Sequence, residues 1–163
     1  MNALESHVMQ VAQIKRRAIV LIKVPEPVII IERIGAKVSG RLDRRRAVDF
    51  HGAIAGGQAV AIECKSTRRK STRWHLDERF KESQRPLLEQ WAALGVWCAV
   101  YVRHAVYGDY FLPITAAGLP FVGASCAFED LEKYKIPPGK CFVDALIRGH
   151  ETYWAKYKDR GWL

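Results

Sequence analysis

Apolar positions recur along this chain in two rhythms. Near the N-terminus Leu4, Val8, Val11 and Ala12 share one face of a 3.6-residue repeat, so residues 4 to about 17 read as a helix with Glu5 beside the stripe. The rhythm then shortens. Ala18 to Lys23 is rich in β-branched residues, Pro25 and Pro27 break it, and it resumes from Val28 to Ile34. Ala47 to Ile54 and Gln58 to Lys65 read as two further strands, with Ala55, Gly56 and Gly57 between them as a hairpin signal. A helix starts near Ser83, tolerates Pro86 in its first turn, carries Leu87, Leu88, Trp91 and Leu94, and stops at Gly95. Val96 to Val102 and Val106 to Leu112 are strands again. Past Pro113 the signals weaken until a final helix from Asp144 to about Lys158. No repeat or low-complexity segment interrupts the pattern. This order predicts an α/β fold, a mixed central sheet flanked by helices, in one domain spanning residues 1–163.

Charge changes the picture. The chain has 163 residues, enough to bury a core without staples, and a net charge of +9 that is unevenly spread. Lys37, Arg41, Arg44, Arg45 and Arg46 face only Asp43, while Lys65, Arg68, Arg69, Lys70 and Arg73 form a stretch without any acid. Clusters of this kind suit a polyanion, of which nucleic acid is the commonest, although a solvated or membrane-facing basic surface has the same composition. Cys64, Cys98, Cys126 and Cys141 show no zinc spacing, and Cys64 and Cys98 sit in apolar runs as small core residues do. No signal peptide opens the sequence and no apolar run is long enough to span a bilayer, so a reducing cytoplasm is the expected compartment.

The candidate chemistry lies between the basic stretches. Asp49 precedes Glu63, Cys64 and Lys65 by fourteen residues. Strand alternation puts Val60, Ile62 and Cys64 on a core face and Ala59, Ala61, Glu63 and Lys65 on the other, where two small residues leave room for a ligand. On the preceding strand Val48 and Phe50 are expected in the core and Asp49 on the same open side as Glu63. A hairpin would then bring both carboxylates within reach of one cation. Mg²⁺ is commonly held by one or two carboxylates plus a substrate phosphate, and Lys65 would orient an attacking water or neutralise the transition state. The plain alternative is a pair of exposed strand acids balanced by nearby Arg and Lys.

These motifs carry a family resemblance. Val48, Asp49, Phe50 and Gly52, then Ile62 to Lys65 and Thr67, Phe80 and Gln84, and Gly95 before an apolar strand are similar in order and spacing to the RecU Holliday-junction resolvases. That family belongs to the PD-(D/E)xK nuclease superfamily. Leu4 and Glu5 on the first helix, the break at Lys23, Pro25 and Pro27, and Val106 and Tyr107 continue the similarity over roughly residues 4 to 115. The resemblance implies a restriction-endonuclease-like core and a Mg²⁺-dependent endonuclease, with Mn²⁺ as a substitute. It also implies a homodimer that resolves four-way DNA junctions by paired symmetric nicks, away from any membrane. Asp49 and Glu63 would be metal ligands and Lys65 the catalytic lysine. Glu5 would be a further acidic contributor, or simply an acid favoured by its helix dipole. Gln84 matches a glutamine near the active site, or is a first-turn residue of its helix.

The chain departs from the family between the proline break and Asp49. Residues 34–46 form a short basic projection in place of a longer one, with Arg41, Arg44, Arg45 and Arg46 gripping phosphates; Arg68, Arg69, Lys70 and Arg73 offer a second DNA-binding stretch. The C-terminal third shows no clear match. A compact variant of this kind fits a bacteriophage or a divergent bacterial enzyme. None of the five histidines pairs with another at helical ligand spacing, so most are expected to be surface or local hydrogen-bond residues; His51, on Asp49's face by alternation, and His75, in the basic segment, are candidates for touching substrate. Trp74 reads as a base-stacking residue or a hydrophobic anchor, Trp91 and Trp97 as core, and Tyr153, Trp154 and Tyr157 as core or dimer surface. Two other functions fit the same residues, a repair or restriction-type endonuclease of the superfamily and a DNA-binding protein without catalysis.

Overall fold

The computed structural model describes residues 2–25, 28–34, 37–42, 48–67, 71–76, 80–115, 117–121 and 123–149, the side chains of 28–34, 37–42 and 81 excepted. Helix α1 (Ala3–Ile14) opens on a reciprocal cap. The Asn2 side-chain oxygen accepts the Glu5 amide at 2.9 Å, and Glu5 Oε2 accepts the Asn2 amide at 3.1 Å, satisfying two orphan donors at once. The helix stops at Ile14, earlier than the sequence rhythm suggests, because Lys15, Arg16 and Arg17 are exposed and nothing apolar anchors another turn.

Nine strands follow among the described residues: β1 (Ile19–Lys23), β2 (Val28–Ile34), β3 (Lys37–Leu42), β4 (Phe50–Ile54), β5 (Ala59–Thr67), β6 (Arg73–His75), β7 (Trp97–His104), β8 (Gly108–Ile114) and β9 (Ser125–Ala127). Five form the central sheet in the order β1-β4-β5-β7-β8. All its neighbours are antiparallel except β5 and β7, which run parallel and are joined through a π-helical turn (Phe80–Gln84) and helix α2 (Arg85–Ala93). The fold is therefore α/β with a mixed sheet, as the element order predicts. Gly56 and Gly57, both at positive φ, close the β4–β5 hairpin. The run from Val28, expected to resume the first strand, instead pairs with β3 as a separate antiparallel ribbon whose register slips between Ile30 and Glu32.

The central strands β5 and β7 are buried on both faces, whereas Val20 and Ile22 of edge strand β1 are exposed. Leu4 and Val8 of α1 and Phe142 of the helical residues 142–149 cover Phe50, Ile62 and Tyr101; Phe80 and Leu88 cover Ala61, Val100 and Leu112 opposite. This corrects the expectation that the Ala61–Glu63 side of β5 is open. Ala61 and Glu63 are 0% and 3% exposed, because the parallel crossover lays the π turn and α2 over that face. A second correction concerns Val48 and Phe50, expected in one core. The strand begins only at Phe50, residue 49 sits in a bend, and the two apolar side chains enter opposite cores. The last helix is described from 142 to 149, and the remainder of its expected span lies outside the described residues. Cys64, Cys98 and Cys126 are buried, and no helix among the described residues is long and apolar enough to cross a membrane.

Candidate active site

The β4–β5 register sets the site. Phe50 faces Ile62, so the next step outward puts Asp49 opposite Glu63. The ladder ends there, and Asp49 Oδ2 accepts the Cys64 amide at 2.7 Å where a backbone carbonyl would otherwise serve. From the other side the Val24 amide donates to the Asp49 carbonyl at 2.9 Å, so β1 and β5 hold the bend between them.

Glu63 and Lys65 project from the same face of β5, and Lys65 Nζ lies 3.0 Å from Glu63 Oε1. The ammonium also donates to Gln84 Oε1 at 2.9 Å and stands 5.3 Å from the centre of the Phe80 ring. Gln84, the last residue of the π turn, is 3% exposed. Burial, then the neighbouring Asp49 carboxylate, push the Glu63 carboxyl up to about 7 against the opposing pull of Lys65 and Gln84. Glu63 Oε2 is buried and makes no hydrogen bond among the described residues. A carboxylate there is short of positive charge, which is what a cation would supply.

Glu5 is buried rather than a helix-surface acid, and its Oε2 is engaged both by its own cap and by Lys23 Nζ at 2.6 Å. Among the described residues no group of three His, Cys, Asp or Glu side chains is arranged to hold a metal, so Glu5 does not join Asp49 and Glu63 in a three-carboxylate set. Lys23, at the end of β1 opposite Phe50, is the partner that sequence reasoning did not assign to Glu5. A lysine closing an apolar strand just before a proline is the one signal that marked it.

Of the basic residues, Arg44, Arg45, Arg46, Arg68, Arg69 and Lys70 lie outside the described residues, as does the side chain of Arg41. Arg73 is exposed on β6, and its guanidinium donates to Ser125 Oγ at 3.2 Å and to the Ser125 carbonyl at 3.4 Å. His51 and His75 are exposed. Trp74 is a core anchor, 5% exposed and edge-on to Phe121 at 5.7 Å. The sequence also concealed a network across the β7–β8 pair. Arg103 grips Asp109 through two bonds of 2.8 and 2.7 Å, and the Tyr101 hydroxyl donates to the same carboxylate at 2.5 Å. Burial pushes the Asp109 carboxyl up, yet the bonds from Arg103 and Tyr101 outweigh it and hold it below its ordinary range.

No family model matches the chain, and no curated relative does. Among solved structures the chain is similar to Hjc of Archaeoglobus fulgidus, a Holliday junction resolvase from an archaeal hyperthermophile, at 17% identity and a TM-score of 0.47, over 79% of this chain and 91% of that one.

Proposed function

We propose that the chain is a metal-dependent, structure-selective endodeoxyribonuclease that resolves four-way DNA junctions as a homodimer. The observation that carries this reading is the group of buried Asp49, Glu63 and Gln84 around half-buried Lys65, in which two carboxylates meet beside an ammonium held by Glu63 and Gln84 among the described residues. The sequence resemblance to the resolvases supports the choice of substrate. Asp49 and Glu63 would hold Mg²⁺, with Mn²⁺ as a substitute, and the bare Glu63 Oε2 fits that assignment. A hard divalent cation bound there supplies charge stabilisation at the scissile phosphate and lowers the pKa of a water.

The chain's own residues do the rest. Lys65, held by Glu63 and Gln84, turns a fixed ammonium toward the phosphate, where it stabilises developing charge without having to reorganise. The Cys64 amide keeps Asp49 in place. Basic stretches supply salt-dependent affinity, and selectivity rests on DNA shape rather than base reading. Two copies about a two-fold axis would nick opposed strands symmetrically.

The test is Mg²⁺-dependent cutting of a synthetic four-way junction against linear duplex by wild type and Glu63→Gln, with binding measured in parallel. Wild type should cut the junction in paired positions, and the variant should bind without cutting. Equal cutting of plain duplex, or an active Glu63→Gln, would refute the assignment.

A further inference from the structure

Beside Lys65, where β5 meets β6, lies a cavity of about 340 Å³ whose walls include Lys65, Thr67, Arg73, His75, Trp74 and Phe80. Its size is at the low end for small-molecule sites, enough for one nucleotide and far too little for a duplex. The walls divide by chemistry. Trp74 and Phe80 are buried behind it, whereas Arg73 and His75 leave β6 on the face opposite Trp74 and are exposed at its rim. No acid belongs to the described walls. Arg73 makes no ion pair among the described residues; it is steered by two neutral Ser125 oxygens, which orient the guanidinium without neutralising it. A preoriented cation at the rim, with the hydroxyls of Ser66, Thr67 and Ser71 among the walls and the proposed catalytic lysine beside them, suits a sugar with an attached phosphate.

We propose that this cavity takes one nucleotide of the cut strand, next to the scissile phosphate, with its own phosphate against Arg73 and His75. This rests on the nuclease reading of Lys65. A nucleotide can enter only by leaving its stack, which costs least where pairing is already broken. The cavity would therefore select branched over continuous DNA at the site of reaction, separately from the shape fit of the arms.

The test uses the full chain without divalent cation and a four-way junction in which a fluorescent adenine analogue is moved through each position around the branch point. Binding should raise the fluorescence of one nucleotide per symmetric arm and of no position away from the branch. Arg73→Ala combined with His75→Ala should abolish that rise, with overall affinity falling by about tenfold. Both positions are exposed, and a circular dichroism spectrum matching wild type confirms folding. A junction bound with no rise at any position, or a rise that survives the double substitution, overturns the proposal. The two readings fail separately. Cutting without a fluorescence rise sinks the nucleotide site alone, a variant-sensitive rise without Mg²⁺-dependent cutting sinks the nuclease alone, and no binding of the junction sinks both.

Discussion

Asp49 Oδ2 accepts the Cys64 amide at 2.7 Å, so one residue proposed to hold a cation also completes the backbone hydrogen bonding of the central strand. The two roles separate by substitution. Asp49→Asn keeps an oxygen for the amide and should cost under about 1 kcal/mol of stability, whereas Asp49→Ala leaves a buried donor unsatisfied at about 1–3 kcal/mol. Both should abolish junction cutting. Urea denaturation beside the cleavage assay checks this, and equal stability of the two variants would show that the bond contributes nothing.

Glu63 makes stability depend on pH in a definite direction. Burial, assisted by Asp49, raises its carboxyl from the ordinary 4.5 to about 7. A carboxyl raised on folding stabilises fully below its unfolded value, and that contribution is lost as pH climbs through the folded one. In the metal-free protein the loss therefore falls between pH 4.5 and 7 and reaches about 3 kcal/mol. Glu63→Gln, which cannot ionise, should gain stability relative to wild type across that window. Urea titrations in chelator at acid and mildly alkaline pH measure the difference, and parallel curves would contradict it. Mg²⁺ should restore wild-type stability at the higher pH and leave the variant unmoved.

The site was legible in the sequence to the extent that it depends on local periodicity. A period of two puts Glu63 and Lys65 on one face, and the Gly56–Gly57 turn sets the register that brings Asp49 opposite Glu63. What covers that face was not legible, because it is decided by a crossover placing α2 and Phe80 from twenty residues away over Ala61. For the same reason a carboxylate expected in solvent is buried and displaced in pKa. The ribbon of β2 and β3 was hidden by prolines before it and a run of charge through it, since neither reveals which strand a strand will pair with. Gln84 was visible only through the resemblance. Its hydrogen bond to Lys65 depends on the π turn, whose extra residue per turn alters where the side chain points.

That hydrogen bond yields a third expectation. Gln84→Ala removes one of the two acceptors that hold the Lys65 ammonium among the described residues. If Lys65 acts on the phosphate, its disorder should cost about tenfold to a hundredfold in kcat, corresponding to about 1.4–2.7 kcal/mol, while junction affinity stays within about twofold. Lys65→Met should lose far more and should mask any further effect of Gln84→Ala in the double variant. Single-turnover cleavage of the four variants decides it, and additive losses would mean that Gln84 acts elsewhere.

Gly52 is required by space rather than by conformation. A Cβ built there would lie 1.8 Å from the Val20 carbonyl oxygen, in the backbone of the neighbouring strand β1, where no flexible side chain can yield. Gly52 pairs with Leu21, two residues before Lys23 on β1 and three residues after Asp49. Gly52→Ala must therefore push β1 off β4, straining the ladder whose end carries the Lys23–Glu5 pair and the Val24–Asp49 bond. The expected cost is about 2–4 kcal/mol, large for one methyl group, with cleavage falling further than the folded fraction because the bend at Asp49 is disturbed. Ala53→Gly, at the next position of the same strand, is the control. It should cost only about 1 kcal/mol in a strand interior and leave cleavage per folded molecule unchanged. Thermal melts and active-site-normalised cleavage separate the two, and a Gly52→Ala protein as stable as wild type would show that β1 and β4 are not held as close as 1.8 Å implies.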